Sequence, residues 1–221
     1  MSVVIESGSS VQISGGTTAI SCPLPAGVVA GNLLLIFAVG RSVTIATPSG
    51  YTMLVNKFQT PTRLNLWYRI ATGSEANPVS SSINGGTECV FTMNRLSASA
   101  GRMFDGTCIV NPQSNHDTAD TDRIVCPDQG TAATGEVRIA SAGGSGNGGT
   151  ISDLGWSALS IQSAGSGSNT AVLHQRWNGP GAGACTIDLG GTMTTICGMS
   201  FIVKDIPAPV ASSGLFFGNN F

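Results

Sequence analysis

Polar and apolar positions alternate with a period of two over most of the chain, and no stretch sustains a helical period. The strongest signal is Gly31-Asn-Leu-Leu-Leu-Ile-Phe-Ala-Val-Gly40. It is far shorter than the roughly 20 residues that cross a membrane. Its glycine bounds and the residues Ile36, Phe37 and Val39 predict a strand buried on both faces, at the centre of a β-sandwich. Other strands are predicted over 17–22, stopped by Pro23 and Pro25, and over 51–55, 63–71, 79–83 and 88–96. In 63–71 the period puts Leu64, Leu66, Tyr68 and Ile70 on one face and Arg63, Asn65, Trp67 and Arg69 on the other. Residues 2–14 read as short edge strands or an arm. The polar stretch 98–123 reads as a loop excursion with a brief strand at 107–110.

The pattern then returns. Ile20-Ser-Cys-Pro23 is echoed by Ile124-Val-Cys-Pro127, Gly31 by Gly135, Gly40 by Gly144, and Gly50-Tyr51 by Gly155-Trp156. Leu66-Trp-Tyr-Arg69 is matched by Leu173-His-Gln-Arg176. This is an internal repeat of about 105 residues, too long for a solenoid. Two copies imply either two tandem sandwiches or one sandwich of two pseudo-equivalent halves. The second copy is less apolar, with Arg138 and Ser141 in its central strand, which favours a single domain with one shared core. The expected fold is an all-β, antiparallel, jelly-roll-like sandwich over 1–207, with repeats at about 17–98 and 121–205. An extended tail, 208–221, follows the stiff Pro207-Ala-Pro209.

Charged residues are only 10% of the chain, against roughly 25% in an ordinary domain, and the net charge is −2. So neutral a surface has little electrostatic protection against association, and much of it is expected either to meet other protein chains or to be solvated by hydroxyls and amides. With Lys57 and Lys204 the only lysines and no basic cluster, nucleic acid is not an expected partner. The opening residues lack a basic region followed by an apolar one, so neither an export signal nor a membrane anchor is expected.

Candidate chemistry is sparse. The six cysteines, 22, 89, 108, 126, 185 and 197, lack the Cys-x-x-Cys spacing of a zinc site and are expected to be reduced and buried. Cys185 and Cys197 flank a Gly-Gly turn and are the candidates to face each other across a hairpin. Gly144-Ser-Gly-Asn-Gly-Gly149 fits a dinucleotide-binding spacing, but no helix follows to hold a phosphate, so a loop is expected. Asp117, Asp120 and Asp122 do not meet the pattern of a calcium loop. His116 and His174 have no evident nucleophile to serve. Tyr51, Trp67, Trp156 and Trp177 are expected to pack within sheets rather than to form a sugar-stacking platform. No catalytic residue, cofactor or metal is expected.

Pro25-Ala-Gly-Val-Val-Ala-Gly-Asn-Leu-Leu-Leu35, Pro48-Ser-Gly-Tyr-Thr-Met-Leu54 and Leu66-Trp-Tyr-Arg-Ile-Ala-Thr-Gly-Ser-Glu75 together resemble a β-sandwich pattern of tailed-bacteriophage virion proteins and some bacterial surface proteins. Asn32 stands where that pattern has Asp, and Tyr51 where it has Trp. The match covers residues 25–76 and is made of turns and core, so it transfers no catalytic residue. The resemblance implies a non-enzymatic structural protein of a phage particle, made in the host cytoplasm and located in the virion. Its partners would be capsid or tail subunits and further copies of itself, with no membrane involved. A capsid decoration (cement) protein is the leading expectation. The alternatives are a tail or fibre receptor-binding protein and a carbohydrate-binding module. Leu215, Phe216, Phe217 and Phe221, in the Gly/Asn-rich tail, are the candidate partner-binding residues. They are expected to dock on another subunit or on the shell.

Overall fold

The computed structural model describes residues 3–14, 18–85, 88–118, 122–130, 132–146, 156–164, 170–178 and 184–209. Its regular elements are all strands, paired antiparallel. One five-stranded sheet runs in the order β1 (Val4–Ile13), β8 (Cys89–Ser97), β3 (Leu33–Arg41), β6 (Thr62–Ile70) and β5 (Thr52–Gln59). A second runs β10 (Ile109–Asp117), β16 (Met193–Val203), β12 (Val137–Gly146), β14 (Thr170–Asn178) and β13 (Ser157–Ala164). Three small sheets join β2 (Ala19–Cys22) to β7 (Val79–Asn84) and β4 (Thr44–Ile45), β11 (Arg123–Val125) to β15 (Thr186–Asp188), and β9 (Arg102–Met103) to β17 (Ile206–Pro207).

The two large sheets pack face to face. β3 lies against β14 and β6 against β12, while β1 lies against β13 and β5 against β10. One apolar cluster draws on both sheets, with Leu33, Leu35, Phe37, Val39, Leu64 and Leu66 meeting Ile139, Leu173, Met199 and Phe201. The Phe37 and Phe201 rings stack at 6.0 Å between centroids. Each large sheet is also covered on its other face. On the first, Leu34, Ile36, Ala38 and Trp67 pack under Ile20 and Cys22 of β2 and Val79 and Ile83 of β7. On the second, Ala140, Ala142 and Val172 pack under Ile124 of β11 and Ile187 of β15, with Cys126, Cys185 and Leu189 beside them.

This layering explains the unbroken apolar run: β3 pairs on both sides and is covered on both faces, so Leu33 to Val39 have no exposed surface. In β6 the two faces divide as the period predicts. Polar bonds add to the seam between the large sheets. Thr62 Oγ1 donates to the Thr195 carbonyl (2.8 Å), Thr195 Oγ1 to the Thr60 carbonyl (2.9 Å), and Thr92 Oγ1 to Gln175 Oε1 (3.2 Å).

Three expectations need correction. Residues 109–117 are a nine-residue strand, not a brief strand in a loop. β10 is an edge strand with most side chains in solvent, so burial imposes no apolar alternation on it. The strand opening at Gly135 continues past Gly144 to Gly146. A Cβ on Gly143 would stand 2.6 Å from Val39 Cγ2, so this glycine permits close approach of the sheets. Cys185 and Cys197 do not face each other: Cys197 lies in the shared core and Cys185 in the outer cluster of the second sheet.

The four outer pairings of the two large sheets are irregular. The register shifts between Ile5 and Ser7 in β1, Met53 and Val55 in β5, Val110 and Gln113 in β10, and Ala158 and Ser160 in β13. The β10 irregularity contains Asn111, at φ 47°, and Pro112, which has no N–H to donate.

Candidate functional site

The site begins where the chain leaves the second large sheet. After β16, Asp205 turns into the fold with its side chain 3% exposed. Its carboxylate accepts from the Ser99 N–H (2.7 Å), the Ser99 hydroxyl (2.6 Å) and the Arg102 guanidinium, while Arg102 also donates to the Asp205 carbonyl. Burial pushes the Asp205 carboxyl up, but these donors outweigh it and hold the carboxyl below its ordinary value. The clamp ties the connection after β8 to the segment after β16. β17 then pairs with β9, and the Ala208 N–H donates to the Gly101 carbonyl at 3.1 Å. The root of the 208–221 segment is thereby fixed on the surface, with Pro207 and Pro209 exposed. Beside it lies a cavity of about 490 Å³, lined by Arg102, Thr134, Gly135, Glu136, Lys204, Asp205 and Ile206. Its lining mixes both signs of charge.

Leu215, Phe216, Phe217 and Phe221 lie outside the described residues, as do Asp120 and residues 147–149. Asp117 ends β10, and Asp122 pairs with Arg123 (3.0 Å). His116 lies on the β10 edge, whereas His174 is fully buried on β14, so the two do not share a site. Neither His174 ring nitrogen finds a hydrogen-bond partner in normal geometry. Burial pushes the imidazole down to about 4, although nearby Asp188 pulls the other way. Tyr51 and Trp67 pack under the first outer layer, Trp156 under the second, and Trp177 against the shared core, so they form no common platform. The Tyr51 hydroxyl is pushed up to about 12 by burial, against the Arg69 guanidinium 5.9 Å from its ring.

Several carboxylates hold turns. Glu75 accepts from the Thr72 N–H (2.6 Å) and the Gly73 N–H (3.0 Å), Asp105 from the Thr107 N–H (2.8 Å), and Glu136 from the Ala133 N–H (2.7 Å). Asp128 and Asp188 cap turns at Gly130 and Gly190 in the same way. Among the described residues no three His, Cys, Asp or Glu side chains are grouped to hold a metal. The Ser99–Arg102–Asp205 clamp escapes sequence reasoning because its partners lie about a hundred positions apart in segments without a motif. Comparison with protein-family models, with curated proteins and with solved structures finds no match to this chain.

Proposed function

We propose that the chain is a non-enzymatic structural protein of a bacteriophage particle, and within it a capsid decoration protein that stabilises the shell. The virion resemblance of residues 25–76 motivates this reading. The observation that carries it is the fixed root on β9, at a defined point on the surface, of the segment whose sequence holds Leu215, Phe216, Phe217 and Phe221. Burying each such side chain is worth about 1.5–3 kcal/mol, enough to anchor a short segment on a partner when hydrogen bonds accompany it. Engagement of the described carboxylates in turns and ion pairs is in keeping with a structural role.

The fold reading that goes with it is a jelly-roll-like architecture in two repeats. Nested pairings support it: β1 with β8, β2 with β7 and β3 with β6 in one half, then β10 with β16, β11 with β15 and β12 with β14 in the other. On this reading the repeats begin earlier than the sequence echoes, at β1 and β10, and each half is itself layered while sharing the central core.

Removal of residues 208–221 tests the role. The truncated protein keeps its melting temperature but no longer sediments with empty phage heads. Retained sedimentation with an earlier melt would make the segment part of the fold and end the proposal. Binding to a glycan array without sedimentation would select the receptor-binding or carbohydrate-module alternative.

A further inference from the structure

We propose that Cys126 and Cys185 form an intramolecular disulfide when the folded protein meets a small disulfide oxidant such as glutathione disulfide. The β11–β15 ladder places Arg123 opposite Asp188, Ile124 opposite Ile187 and Val125 opposite Thr186. One step further, Cys126 stands opposite Cys185, and its N–H donates to the Cys185 carbonyl at 2.8 Å. Residues opposite each other in an antiparallel pair project from the same face. Both thiols accordingly lie in one buried cluster, beneath the second large sheet. Opposed Cα atoms of a hydrogen-bonded pair are about 5.5 Å apart, within the roughly 4.4–6.8 Å that disulfides span.

Cys22, in the sequence echo of Cys126, lies opposite Val79. Cys89 lies opposite Ile13 and Gly40, and Cys197 opposite His116 and Gly143. Among the described strand pairings no other two cysteines are opposed. Both thiols are free in the structure.

The reaction balances. A Cys185 thiolate attacks one sulfur of glutathione disulfide and expels one glutathione thiolate. A Cys126 thiolate then attacks the Cys185 sulfur of the mixed disulfide and expels the second. Two protein thiols are oxidised, one glutathione disulfide is reduced, and the two protons lost by the protein thiols are taken up, through solvent, by the two expelled thiolates to give two glutathiones. Burial holds the Cys185 thiol up at about 12, with the Arg176 and Arg138 guanidiniums pulling the other way. Access comes through local opening of β11 and β15, three residues each. The bridge encloses β12, β13 and β14, the middle of the second half.

The full chain is incubated with excess glutathione disulfide, in buffer and in urea below the unfolding midpoint. It is then quenched with iodoacetamide, digested and analysed by mass spectrometry. A single linked peptide pair joining Cys126 to Cys185 is expected, with Cys22 still alkylated. The oxidised protein melts roughly 5–10 °C higher, and a dithiol reverses the shift. Val79→Cys adds a second bridge, to Cys22. Full alkylation of both Cys126 and Cys185 in the two conditions, or a bridge to any other cysteine, overturns the proposal.

Discussion

His174 shows how one residue makes stability depend on pH. Burial lowers its pKa to about 4, whereas an unfolded chain has it near 6.5. The folded state therefore resists a proton that the unfolded state accepts. Stability is complete above pH 6.5, falls as the pH drops towards 4, and is then flat with respect to this group, for a total of about 3 kcal/mol. His174→Phe, an apolar ring in the sequence echo of Trp67, should abolish that slope in chemical denaturation measured between pH 7 and 4. An unchanged slope would refute the assignment. Asp205 acts in a lower window. Its carboxyl is held below the ordinary value, so its contribution is present above that value and lost as acid protonates the folded form. Asp205→Ala leaves the Ser99 N–H, the Ser99 hydroxyl and the Arg102 Nε–H without their carboxylate acceptor, and should cost about 1–3 kcal/mol in urea melts at pH 7. A loss below about 0.5 kcal/mol would show that water replaces the carboxylate.

At the scale of elements, the sheets were legible in proportion to their burial. β3 announced itself because both of its faces are dry, and β6 because its two faces meet different apolar clusters. β10 was hidden because an exposed edge strand can be written almost entirely in polar residues. The candidate site divided similarly. The apolar tail stands out in composition, but the Asp205 clamp that fixes its root depends on contacts between distant segments. Gly144, next to the close-packed Gly143, read as the start of a loop because a glycine needed for close packing looks, in sequence, like one needed for a turn. Gly143→Ala tests that distinction. Its methyl would meet Val39 Cγ2 and Cβ at 2.6 and 2.9 Å, so overpacking should cost about 1–3 kcal/mol. A melting temperature equal to that of the parent would mean the sheets have room to part. Leu34→Asp, which puts a charge beneath β2 and β7, should prevent folding altogether.

For the whole molecule, the shared core sets the limit of autonomy. Residues 1–104 alone would expose the face carrying Leu33, Leu35, Phe37, Leu64 and Leu66. They should be insoluble or bind hydrophobic dyes when expressed alone, and become soluble when co-expressed with 105–221. A cooperative melt of the isolated first part would show that the halves are independent. The irregular outer strands have a different consequence. Among the described residues Lys57 is the one lysine on the outer strands β1, β5, β10 and β13, and an edge of regular backbone donors and acceptors is a template for endless strand-by-strand growth. Each edge pairing here instead carries a register shift. Geometry takes the place of electrostatic repulsion as the guard against fibre formation. Removing Pro112 would straighten β10, and at high concentration should turn a monodisperse solution into one that scatters light and binds thioflavin T.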